Sequence, residues 1–110
     1  MYYTYIIKCE KGTLYTGITT DVERRFGEHK SQNRLGAKYT RSHKVESVEA
    51  IWSSQSRSTA SKLEFFIKSL SRDKKIELIN NPKLLMQKYG DKLFDIEYVY
   101  CNGLIDALKV

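Results

Sequence analysis

The sequence predicts an α/β composition of the α+β type: a small three-stranded, mainly antiparallel sheet flanked by helices. Three observations predict it. Residues 2–8 and 13–18 are both rich in Tyr, Thr and Ile, and Glu10-Lys11-Gly12 between them suits a tight turn, so the pair reads as a hairpin. Val48, Ala50 and Trp52 then recur at period two within Val45 to Ser53, a third strand that should join the hairpin. From Ser56 onward the apolar residues change to helical spacing.

Taken in order, Asp21 is a good N-cap for a helix through about Ser31. Glu23 suits the positive end of its dipole, and Val22 and Phe26 lie four apart on one face. Gln32 to Lys44 has no clean period, contains Gly36 and reads as an exposed basic loop. Between Ser56 and Ser71, Ala60, Leu63, Phe66, Ile67 and Leu70 span an arc of roughly 120°, and Glu64 falls about 40° beyond Ala60, half in and half out. Ile76, Leu78 and Ile79 indicate another helix. Asn81-Pro82 reads as an N-cap followed by proline at the first helical position, opening a last helix through Lys88. Phe94, Ile96, Tyr98 and Tyr100 alternate with acidic residues, an extra C-terminal strand that stops at Asn102-Gly103.

The chain is 110 residues long and 41% hydrophobic, with one proline, which fits one domain with a real core and excludes a disordered tail. Cys9 and Cys101 are too far apart for a CxxC pair and lack clustered histidines, so they read as buried thiols and not as a zinc site. No apolar run approaches the roughly 20 residues of a membrane span, and the N-terminal stretch lacks a basic leader; a protein of the reducing cytoplasm is the expectation.

Lys and Arg outnumber Asp and Glu by 19 to 13, a net charge of +6. Between Arg24 and Lys44 seven basic residues face one acid, Glu28, so this window holds the whole surplus and the rest of the chain is neutral. A one-signed window in a neutral chain points to a polyanionic partner. Tyr5 and Tyr15 lie on paired strands; Arg25 and His29 stack four apart on the first helix, on a face about a third of a turn from the Val22/Phe26 stripe. Singly, each has an ordinary explanation: a strand tyrosine, a surface residue or, for Glu64 and Lys68, a helix ion pair worth about 0.3–0.5 kcal/mol.

Together, Tyr3-Thr4-Tyr5, Leu14-Tyr15-Thr16-Gly17-Ile18-Thr19-Thr20-Asp21, Arg25-x-x-x-His29, Gly36-Ala37-Lys38-Tyr39-Thr40-Arg41 and Glu64-x-x-Ile67-Lys68-x-Leu70-Ser71-Arg72 stand in a less common order. Over about residues 2–80 the chain resembles the GIY-YIG endonuclease family, most of all its small stand-alone bacterial branch. Tyr3 replaces the first glycine of that signature. The resemblance implies a single nuclease domain over residues 1–110, with a core at about 2–80 and residues 82–110 as a C-terminal extension packed on it. It implies Tyr5, Tyr15, Arg25, His29 and Glu64 as site residues, and an active-site asparagine for which Asn80 is carried because Asn81 already has a capping role.

It further implies metal-dependent phosphodiester hydrolysis. Glu64 would hold Mg²⁺ or Mn²⁺, Arg25 would hold the attacked phosphate, and Tyr5 or Tyr15 would take a proton from water. A tyrosine of ordinary pKa near 10 needs neighbouring positive charge for that task. Lys30, Arg34, Lys38, Arg41 and Lys44 would follow the backbone of DNA, with Tyr39 free to stack on an unpaired base. RNA shares the same backbone chemistry and is not excluded. The expected function is a DNA endonuclease selective for branched or flapped structure, serving DNA repair or recombination. A non-cleaving nucleic-acid-binding module on the same scaffold is the alternative, and a basic protein-interaction domain is a third.

Overall fold

β1 (Tyr2–Cys9) and β2 (Leu14–Thr19) form the expected hairpin, antiparallel with Tyr5 opposite Gly17 and Ile7 opposite Tyr15. Its connection is one 3₁₀ turn, Glu10–Gly12, in which Lys11 and Gly12 have φ of 64° and 74°. Glycine adopts that left-handed backbone without a Cβ penalty. The Cys9 N–H closes the turn by donating to the Thr13 carbonyl at 2.7 Å. The computed structural model describes residues 1–31 and 43–108. Of the expected basic loop, Arg34, Lys38, Tyr39 and Arg41 lie outside the described residues.

α1 (Val22–Ser31) starts where the sequence placed it, the Arg24 N–H donating to Asp21 Oδ1 at 3.1 Å. β3 (Val45–Ser54) pairs antiparallel with the other edge of β1. Its period-two pattern does not lie on one face. Ile6 pairs with Ala50 but Ile7 with Val48, so Glu49 is an extra residue at a bulge. Val48 is thereby moved to the opposite side of the sheet from Ala50 and Trp52.

α2 (Arg57–Ser69) is opened by a reciprocal cap: the Thr59 N–H donates to Ser56 Oγ at 3.2 Å and the Ser56 N–H to Thr59 Oγ1 at 3.1 Å. α3 (Arg72–Asn80) is capped by Ser71. Asn81 ends α3, in place of opening the next helix: its N–H donates to the Glu77 carbonyl at 2.9 Å. Pro82 therefore sits in the connecting turn, and α4 (Leu84–Tyr89) starts two residues beyond it.

The late strand is shorter than the alternation predicted. β4 is Val99–Tyr100 alone, paired with β3 through Trp52 and Ser53. Before it, a 3₁₀ turn at Asp91–Leu93 runs into Phe94 and Asp95 at φ 56° and 55°, which breaks any extended run. Of the alternating residues Phe94 is exposed, whereas Ile96, Tyr98 and Tyr100 pack on the core, with Tyr98 buried and its hydroxyl donating to the Thr59 carbonyl at 2.6 Å. The chain then enters an unforeseen helix, α5 (Asn102–Ala107), whose Ile105 is buried.

The four-stranded antiparallel sheet has the order β2-β1-β3-β4. On one face Ile6, Ala50 and Trp52 pack with Leu63 and Ile67 of α2 and with Leu78, Leu85, Tyr89, Leu93 and Tyr98. On the other, Tyr5, Ile7, Val48 and Ile51 pack with Val22 of α1 and Ile105 of α5. Cys9 is a buried thiol as expected, whereas Cys101 is only half-buried, at the start of α5 on the sheet rim.

Candidate active site

The strand pairing sets Tyr5 and Tyr15 on the face covered by α1, with Gly17 directly across from Tyr5. A Cβ on residue 17 would collide with the Tyr5 hydroxyl and come within 2.6 Å of its Cζ. The second signature therefore needs glycine because the Tyr5 ring lies over that position. Seven residues after Val22, two helical turns return His29 to within about 20° of it. His29 is thus 0% exposed beneath α1 and not on a separate surface face, which corrects the sequence reading of that helix.

The Tyr5 hydroxyl lies 2.6 Å from His29 Nε2, and Tyr5 is only 3% exposed. The Arg25 guanidinium stands close enough to this hydroxyl to pull its pKa down. A neutral imidazole carries one N–H, so the Tyr5 hydroxyl donates to His29 Nε2 in the tautomer that bears its proton on Nδ1. Burial first, and then the Arg25 cation, pull the His29 pKa down to about 4, so the imidazole is neutral at pH 7 and able to accept. Burial and the neighbouring Tyr15 push the Tyr5 phenol well above its ordinary value, against the opposing pull of Arg25. Tyr15 stands edge to face with the same imidazole, ring centroids 5.5 Å apart.

Glu64 comes from α2. Its side chain is 25% exposed, as its place at the edge of the apolar arc predicts, and it pairs with Lys68 at 3.4 Å. Lys68 Nζ in turn lies 5.9 Å from the centre of the Tyr15 ring, which brings this ion pair to the tyrosine pair. The Glu64 charge reaches Tyr5 and helps hold its proton on. Five of the six expected residues are thus gathered. Asn80 is not: it ends α3, exposed, and no contact among the described residues ties it to the others. Lys30 is exposed in the last turn of α1 and borders a cleft with Glu46 and Val48, and Lys44 is exposed before β3. Glu28, which holds Arg25 Nη1 at 2.8 Å, was missed, although its i,i+3 spacing from Arg25 was a readable signal.

A family model described as the GIY-YIG catalytic domain matches residues 1–77. The chain belongs to the GIY-YIG family. It is 44% identical over 81 residues to a UPF0213 protein of Fusobacterium nucleatum, covering 74% of this chain and 79% of that one. A UPF0213 protein of Halobacterium salinarum is 45% identical over 75 residues, 68% of this chain and 95% of the relative. The solution structure of a UPF0213 protein from Bacillus halodurans shares 42% identity, covers 73% of this chain and 84% of that chain, and superposes with a TM-score of 0.45. GIY-YIG proteins form a nuclease superfamily that acts on DNA and generally uses divalent metals.

Among the described residues no three His, Cys, Asp or Glu side chains come together as a metal cage. Among the described residues this GIY-YIG site offers two half-buried carboxylates, Glu28, which is taken by Arg25, and Glu64, which pairs with Lys68. Magnesium takes one or two protein carboxylates and completes its shell with water and phosphate oxygens. A single partly exposed glutamate such as Glu64 fits that demand. Among the described residues no helix is long and apolar enough to cross a membrane.

Proposed function

We infer that this protein is a divalent-metal-dependent DNA endonuclease that hydrolyses phosphodiester bonds, selects branched or flapped DNA and serves repair or recombination. The observation that carries the reading is the Tyr5 hydroxyl held 2.6 Å from a buried, neutral His29 beside the Arg25 cation. A buried phenol bonded to a neutral imidazole beside a cation is poorly explained by packing alone. It is the arrangement needed to move a proton beside an anion.

In this reading Arg25 takes the scissile phosphate. Water attacking phosphorus gives its proton to the Tyr5 oxygen, and the Tyr5 proton passes along the existing bond to His29 Nε2. The anion on Arg25 offsets the positive charge that holds the His29 pKa down, so the imidazole becomes a better acceptor when substrate is bound. Glu64 would hold Mg²⁺ or Mn²⁺, which supplies stabilisation of the leaving 3′ oxygen and of the charge building on phosphorus.

The test is incubation of the protein with branched, flapped and plain duplex DNA in Mg²⁺ or Mn²⁺, beside Glu64→Ala, Arg25→Ala and Tyr5→Phe. Wild type is expected to cut, with preference for the branched forms. Each variant should lose at least about 100-fold, the usual scale for a positioned acid or base. Binding without cleavage in either metal would replace the nuclease by a nucleic-acid-binding module on the same scaffold.

A further inference from the structure

A polar groove of about 350 Å³ runs past the end of the sheet, and Arg25 connects it to the site just described. Two further arginines line it. Arg24 comes from α1, and Arg57 is the first residue of α2, far outside the basic window of the sequence. Thr19 and Thr20, at the end of β2, also line it. The one carboxylate there, Glu28, is taken by Arg25. Among the described residues neither Arg24 nor Arg57 has an acidic partner.

The two helices reach this groove from opposite layers, α1 packing on one face of the sheet and α2 on the other. Each contributes a first-turn arginine to its lining, Arg24 from α1 and Arg57 from α2. A concave surface holding two unneutralised guanidiniums is under mutual repulsion that an anion between them relieves. Guanidinium forks match the oxygens of phosphate.

We propose that Arg57 and Arg24 form a second phosphate site, which holds the backbone of the cleaved strand next to the phosphate at Arg25. This rests on the nuclease reading and deepens it: the substrate is a polynucleotide that continues through the groove, and a lone phosphodiester is not sufficient for tight binding.

The measurement is fluorescence anisotropy of a labelled flapped duplex in EDTA, so that nothing is cut, between about 50 and 200 mM salt. Arg57→Gln and Arg24→Gln should each weaken binding roughly five- to tenfold near 0.1 M salt and reduce the salt slope by about one. Arg57→Lys keeps the charge and should restore the slope. Lys83→Gln, the same charge change on an exposed residue outside the groove, should leave both quantities within twofold. Neutral methylphosphonates placed one at a time along the cleaved strand should, at one position beside the cleavage point, abolish the difference between wild type and Arg57→Gln. If Arg57→Gln binds with wild-type affinity and slope, the groove proposal is wrong while the nuclease reading stands on its own cleavage test. A wild type that cuts no DNA overturns the nuclease reading, and the slopes still report on the groove.

Discussion

His29 couples the site to pH. Its ordinary value is 6.5 and its folded value about 4, lowered by burial and then by Arg25, with Glu28 opposing. Between those two values the unfolded chain takes up a proton that the folded chain refuses, so stability falls as pH falls from 6.5 to 4 and the loss levels off below that. Urea midpoints measured from pH 8 to 3.5 should therefore drop more steeply in wild type than in His29→Gln, the difference opening below pH 6.5. Parallel curves would show that the imidazole is not held neutral. At this scale much of the site was legible, because tyrosines on paired strands and an i,i+4 pair on a helix are fixed by local geometry. The burial of His29 was legible too, had the rotation from Val22 been followed for two full turns. Arg57 was not, since nothing near it in sequence points to Arg24.

α2 carries both Glu64 and Arg57, so its first turn matters to stability and to binding together. Ser56 and Thr59 exchange two hydrogen bonds there. Ser56→Ala should cost about 1 kcal/mol, the usual value for losing a serine cap, and lower the melting temperature by a few degrees. The same variant should also bind DNA more weakly, because a frayed first turn no longer fixes Arg57. A melting loss without any change in DNA affinity would separate Arg57 from the substrate. Helical elements such as α2 were readable because their caps and their spacing are local. The bulge at Glu49 was not: whether β3 holds one extra residue is decided by its partner β1, and a period-two pattern looks the same until the partner is known. Likewise the alternation from Phe94 to Tyr100 signalled burial only in part, with Tyr98 buried and Phe94 exposed, and two left-handed residues turned most of that stretch away from strand pairing.

At the scale of the whole molecule, the family match stops at residue 77, yet five of the ten buried residues in the larger core cluster, Leu78, Leu85, Tyr89, Leu93 and Tyr98, lie beyond it. They cover Trp52, Ile6 and the inner face of α2, the helix that presents Glu64 to the site from its other side. The C-terminal third is thus part of what holds the site in shape: these five residues support it from the opposite face of the sheet, and Ile105 of α5 joins the cluster that contains Tyr5. Leu93 is 2% exposed. Leu93→Ala should cost about 2–5 kcal/mol, the range for truncating a buried leucine, and cleavage should persist in whatever fraction remains folded. Ending the chain after Asn80 removes four of the five and leaves Trp52 uncovered, so that fragment should bind a hydrophobic dye, lack a cooperative melt and not cut DNA. If residues 1–80 melt cooperatively near the full-length temperature, the later residues are an appendage and the core closes without them.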